Sequence, residues 1–188
     1  MITQFLSTET PEQRTRSLEI AAAALRRGEL VAFPTETVYG LGANALDEDA
    51  VRAVYEVKGR PTDNPMIVHV HARQQAVELM QEVPPLFEEL ANEFWPGPLT
   101  VVVKHNAAIP DIVTAGLATV ALRLPDLELT RNLLRRVNLP VAAPSANVSG
   151  RPSPTSAGEA FEELKGSITA VLDGGRCKVG IESTVLDL

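Results

Sequence analysis

Lys58-Gly59-Arg60-Pro61 sets two cations at i and i+2 beside a glycine and a proline. Such a pair can aim at one anion from a rigid loop, or simply complement the dipole at the end of the preceding helix. Thr119 to Leu124 alternates: Val120, Leu122 and Leu124 take one face, while Arg123 shares the other with the small Ala121. The planar fork of Arg123 suits a carboxylate if that face looks into a cavity, and a solvent-facing sheet surface is equally open. Phe33 to Gly42 leaves an apolar strand and enters a hydroxyl-bearing, glycine-punctuated turn, a place where α/β folds hold ligands and also where plain turns occur. Ala142 to Gly150 ends a strand in small polar residues, which let a ligand approach the backbone. Ser153 before Pro154 resembles a helix N-cap, and a helix N-terminus there would favour a phosphate. His69 and His71 lie on one strand face but lack a third ligand at diagnostic spacing, so polar lining is preferred to metal.

Several motifs are missing. There is no G-x-x-x-x-G-K-[ST], no complete dinucleotide fingerprint after Gly40, no G-x-S-x-G and no H-E-x-x-H. Strands that end in hydroxyls, glycines and cations, with no nucleophile and base, favour electrostatic positioning of charged substrates, as in transfer at phosphorus.

The elements that must carry these residues alternate between short strands and amphipathic helices. Thr10, Pro11 and Gln13 read as N-cap, first turn and capping box of a helix that Gly28 ends. Further helices are expected over Asp47 to Val57, Ala72 to Gln81, Pro85 to Phe94, Leu127 to Val137 and Pro154 to Lys165. Strands are expected over Leu30 to Phe33, Met66 to His71, Leu99 to Lys104, Thr119 to Leu124, Val141 to Ala143, Ala170 to Leu172 and Ser183 to Leu186. The fold class is α/β in one layer-packed domain. The Leu99 and Thr119 strands follow one another without a clear helix between them, which implies some antiparallel pairing.

Composition narrows the function. The 188 residues carry a net charge of −7 and only 4% aromatics, which argues against tight direct nucleic-acid binding and leaves an RNA-binding module as the alternative reading. No apolar run approaches the roughly 20 residues of a membrane span, and the N-terminus lacks a secretory pattern. The lone Cys177 suits a reducing, cytoplasmic setting and, with nothing nearby to activate it, is expected to be dispensable.

In order, P-T-E-T-V-Y-G-L-G from Pro34, K-G-R-P from Lys58, N-P at Asn64, W-P-G-P-L-T from Trp95, V-T-A-G from Val113, A-P-S-A-N from Ala143 and E-S-T from Glu182 closely resemble the L-threonylcarbamoyladenylate synthase family, the YrdC-like domain. The resemblance spans almost the whole chain. It implies a twisted α/β sheet around a deep basic cavity. It also implies a nucleotidyltransferase that joins L-threonine, bicarbonate and ATP into threonylcarbamoyl-AMP with release of pyrophosphate. A separate transferase complex would use that product to modify adenosine 37 of tRNA. Carried over by motif, Thr35, His69, Arg123, Ala143 and Ser183 would hold threonine. Lys58, Arg60, Asn64, Thr114, Ser145, Asn147 and Ser153 would surround ATP. Mg2+ would accompany the phosphates, Lys58 and Arg60 would neutralise developing charge, and no protein-bound metal site is implied. Carbamoyl-transfer domains of hydrogenase maturation resemble the same fold, but their chains carry zinc-finger segments, and no C-x-x-C occurs here.

Members usually continue to an R-P-G turn whose arginine helps hold ATP, and the longer branch adds a C-terminal domain. Over residues 1–188 both are missing, so weaker ATP binding with threonine binding intact is expected. Lys58→Ala or Arg60→Ala is expected to cut turnover about 10²-fold, as loss of a charge-stabilising group does. Stability should change little, within about 0.5 kcal/mol, as for exposed surface substitutions.

Overall fold

The computed structural model describes residues 2–188. The strands are β1 (Gln4–Leu6), β2 (Val31–Phe33), β3 (Gly40–Asn44), β4 (Ile67–His69), β5 (Leu99–Lys104), β6 (Thr119–Arg123), β7 (Val141–Ala142), β8 (Ala170–Leu172) and β9 (Thr184–Asp187). They form one nine-stranded sheet in the order β1-β8-β2-β3-β7-β4-β6-β5-β9. The helices are α1 (Pro11–Arg26), α2 (Glu48–Lys58), α3 (Arg73–Val77), α4 (Pro85–Phe94), α5 (Asp111–Thr114), α6 (Glu128–Val137) and α7 (Ala157–Leu164). The sheet is mixed. β1 and β2 run parallel to β8, and β4 runs parallel to β6. β5 and β6 are antiparallel, with Val101 opposite Leu122, as expected, although the four-residue α5 lies between them.

Alternation along the strands decides the two layers. Val31 and Phe33 pack with Leu18 and Leu25 of α1 and with Leu133 and Val137 of α6 on one face. Ala32, Leu41, Val68 and Leu122 point to the other face, against Val51 and Val54 of α2, Phe87 of α4 and Leu164 of α7. Helix starts follow local chemistry. The Thr10 side chain accepts from Gln13 N and closes a capping box, and Asp47 accepts from Asp49 N and Ala50 N.

The sequence reading lacks β1 and the short helix α5, and three further elements differ from it. Gly40 to Asn44 is a buried strand rather than a turn. Its glycine has a packing reason: a Cβ on Gly42 would lie 2.6 Å from Phe33 Cε1 and 3.0 Å from Val141 Cγ1. The helix expected over Ala72 to Gln81 stops at Val77, because Gln81 N turns to bond Lys104 O on β5. The last helix starts at Ala157 and is capped by Ser156 with Glu159 completing the box, so Ser153 is not the N-cap.

Gly42→Ala must push the Phe33 ring aside. Urea denaturation is expected to show a loss of about 1–3 kcal/mol, the scale of overpacking in a full core.

Candidate active site

Val68 and Leu122 are neighbours across β4 and β6 and sink into the larger core. The next residue in each strand, His69 and Arg123, is also a neighbouring pair and faces the opposite way. Residues 34–39, the tip between β2 and β3, arch over them. Thr35 shapes this tip: its Oγ1 accepts from Thr37 N (3.1 Å) and Val38 N (3.2 Å) and donates to Val38 O (2.7 Å). Arg123 holds the tip down. Its terminal nitrogens donate to Thr37 Oγ1 at 3.0 Å and to Glu36 Oε1 at 2.7 Å, and its Nε donates to Gly97 O at 3.4 Å. Residues 173–183 cross above as a second layer, with Val179 N on Glu36 O and Gly180 N on Thr37 O. Tyr39 Oη donates to Gly175 O, and the Thr100 and Ser183 hydroxyls share a 2.7 Å hydrogen bond.

The result is a cavity of about 220 Å3. Of the threonine set expected from sequence, Thr35, His69, Arg123, Ala143 and Ser183 all line it. Of the ATP set, Arg60 and Ser145 line it, whereas Lys58, Asn64, Thr114, Asn147 and Ser153 do not. Arg123 looks into this cavity rather than into solvent, which decides between the two openings its alternation had left.

Lys58 departs most from expectation. It is not an exposed cation sharing one ligand with Arg60: it is 1% exposed, and its ammonium donates to the carbonyls of Ser145 and Asn147. Arg60 instead turns to the carbonyls of Asn64 (3.1 Å) and Pro65 (2.9 Å). The left-handed Gly59 at the end of α2 (φ 57°) separates the two directions. The mild stability effect expected for Lys58 therefore does not hold, because its loss strands two carbonyls. Burial, with Arg60 nearby, pushes the Lys58 ammonium down to about 8. Burial, reinforced by the Arg123 charge, lowers His69 to about 3, so the imidazole is neutral. Its Nδ1 has no hydrogen-bond partner among the described residues. Phe33 meets the imidazole edge-on at 6.0 Å.

The other placements are these. Ser153 donates to Glu182 Oε1 at 2.5 Å at the cavity rim. Thr114 is buried, with its hydroxyl donating to Asp111 O, and Asn64 is exposed on the loop that follows α2. The Asn147 amide donates to Val148 O and Arg151 O. His71 turns to Gln75 at 2.8 Å, away from His69. Sequence reasoning missed Glu36, Thr37 and Glu182. Glu36 had a signal: a carboxylate among hydroxyls directly after a buried strand needs a cation, which Arg123 supplies.

The comparisons with known proteins concern the family and the fold. The family model described as "Telomere recombination" (Sua5/YciO/YrdC) matches residues 23–188. A protein of Pyrococcus abyssi named threonylcarbamoyl-AMP synthase is 53% identical over 171 residues, covering 91% of this chain and 50% of its own length. A Bacillus subtilis protein of the same name is 51% identical over 187 residues, covering 98% of this chain and 52% of its own. The crystal structure of P. abyssi Sua5 complexed with L-threonine superposes with a TM-score of 0.94 at 49% identity, covering 100% of this chain and 54% of that one. The chain thus spans about half the length of the curated relatives it matches.

The buried Lys58 can be tested by pH. Its folded value of about 8 lies below the 10.5 of an unfolded lysine, so the unfolded chain binds more protons between the two. Stability should therefore rise as pH climbs from about 8 towards 10.5. Subtracting the profile of Lys58→Met isolates this gain from the Cys177 thiol, which burial raises to about 11 and which acts oppositely. Lys58→Met should also lose about 1–3 kcal/mol at pH 7, the cost of unpaired buried acceptors, while Arg60→Met stays within about 1 kcal/mol. Denaturant melts at pH 7, 8, 9 and 10 read both effects.

Proposed function

The chain belongs to the Sua5/YciO/YrdC family, and from that premise we propose that it makes threonylcarbamoyl-AMP from L-threonine, bicarbonate and ATP, releasing pyrophosphate. The observation that carries this reading is the inner end of the cavity, where Thr35, His69, Arg123 and Ser183 converge on a space sized for an amino acid. The threonine complex of the P. abyssi relative and the names of the curated relatives support the substrate.

Each chain residue has a physical task in this reaction. Three of the five guanidinium N–H groups of Arg123 are taken by protein acceptors, which leaves two for the amino-acid carboxylate. Neutral His69 adds polarity without charge, so it does not repel the amino group as that group loses a proton. The amine attacks the carbon of bicarbonate with loss of water, or of the CO2 derived from it with loss of a proton, to give a carbamate. A carbamate oxygen then attacks the α-phosphorus of ATP, and pyrophosphate leaves in line. Arg60, at the cavity wall, faces the phosphates. Lys58 fixes the loop that carries Ser145 and Asn147 and puts a positive charge behind it. Asn64, Thr114 and Ser153, given to ATP by the family resemblance, lie outside this cavity.

The donor set fits Mg2+ that arrives on ATP. Glu182 is the one carboxylate lining the cavity, and no group of three His, Cys, Asp or Glu stands together among the described residues. Mg2+ usually keeps waters and binds through one or two carboxylates plus phosphates. Bound there, it would supply charge neutralisation on the phosphates. The product is a reactive mixed anhydride, suited to handing over to a separate tRNA-modifying transferase in the cytoplasm.

Pyrophosphate release from ATP should require both threonine and bicarbonate, and release that ignores either one overturns the reading. Serine should be used with kcat/KM about tenfold or more lower, since one methyl in a pocket is worth about 1–3 kcal/mol. Cys177→Ser should leave turnover unchanged, because burial raises the thiol to about 11 and keeps it protonated.

A further inference from the structure

A guanidinium does not give up its proton inside a protein, so a buried arginine must be balanced. Arg123 is 3% exposed, and Glu36 balances it at 2.7 Å. Glu36 itself is buried and does not line the cavity, so it reaches Arg123 from behind. The contact is single-pronged. Oε1 takes one N–H, and Oε2 is buried without a hydrogen-bond partner among the described residues. A two-pronged pair would be the stronger form and would consume the fork. The observed arrangement spends one N–H on each terminal nitrogen, to Thr37 and to Glu36, and keeps one on each. Thr37 is itself fixed, since its hydroxyl lies 2.8 Å from Thr35 Oγ1. Two neighbouring residues of one tip thus hold the guanidinium from one side and leave two donors, matching the two oxygens of a carboxylate.

The pair also sets the charge that an incoming ligand meets. An unbalanced guanidinium in the cavity would draw in phosphate, a highly charged anion. A guanidinium neutralised from behind offers donors without net charge. That favours the carboxylate of a zwitterion over an inorganic anion.

We propose that Glu36 is a positioning and specificity residue acting through Arg123: it orients the two free N–H groups towards the amino-acid carboxylate and masks the arginine charge from phosphate. The carboxylate ligand rests on the threonine reading above, whereas the masking of phosphate does not.

Two variants separate the roles. Glu36→Gln keeps the length and an acceptor oxygen but removes the charge. Glu36→Asp keeps the charge but withdraws the oxygen by about one methylene. Calorimetry with inorganic phosphate should show binding to Glu36→Gln at least about tenfold tighter than to the parent chain, the scale on which close charge pairs couple. In that variant phosphate should also compete with L-threonine. Glu36→Asp should bind L-threonine about tenfold or more weakly, with phosphate binding and the KM for ATP unchanged. Unchanged phosphate affinity in folded Glu36→Gln, or parental threonine affinity in Glu36→Asp, overturns the proposal. So does an equal loss of threonine and ATP binding in Glu36→Asp, the mark of a merely structural residue. If Glu36→Gln does not fold, Glu36→Asp decides alone. If the parent chain binds no threonine, the proposed function fails, and the phosphate arm still judges the masking.

Discussion

Glu36 and Arg123 meet across a distance that the sheet alone would not close. β2 and β6 are separated by β3, β7 and β4. At about 4.8 Å per strand, a flat sheet would hold them about 19 Å apart. Glu36 stands three residues past the end of β2, a reach of about 10 Å. Sheet twist and two long side chains cover the remainder. The intervening strands therefore end beneath a bridge, and the space under the bridge is the cavity. Past β7 the chain stays bonded to its neighbours, with Leu41 N on Pro144 O and Ala143 N on Ile67 O, and carries Ala143, Pro144 and Ser145 into the cavity wall. Unpairing the two charges would leave one buried and uncompensated, at a cost of about 3–5 kcal/mol. The roof and the electrostatics of the site are thus one interaction.

The remaining walls are held by a similar economy. Lys58 and Arg60 both turn on backbone carbonyls, one pair at 145 and 147, the other at 64 and 65. Charged side chains here brace loops that lack regular hydrogen bonding of their own. This is how an acidic chain, at −7 overall, keeps cations beside the cavity.

Much of this was legible in the sequence, and the parts that were not have physical reasons. Helix caps at Thr10 and Asp47 are local chemistry and were readable, although Asp47 had been placed inside its helix rather than at its cap. The face of Arg123 was readable from alternation, because Ala121 leaves room beside it. Gly40 to Asn44 was not, since glycine's absent side chain signals a turn equally well as room for Phe33, a residue seven or more positions away. The burial of Lys58 was hidden for the same reason: its partners lie 87 and 89 residues on, and a cation at a helix end reads as solvent-facing until the loop beyond it is placed. Glu36 lies within a recognisable motif, but its ionic role is hidden in sequence, because its counter-ion lies 87 residues away.

The crossing layer of residues 173–183 has a kinetic consequence. Val179 and Gly180 close onto Glu36 and Thr37, and Thr184 N closes onto Pro98 O. These contacts join segments more than a hundred residues apart in the first case, so they form late, after long loops have closed. A nascent chain on the ribosome would carry no finished pocket until this layer emerges. A ligand seated beneath it would in turn bind only the completed fold, and its affinity would register as a shift of the whole unfolding transition rather than of one loop.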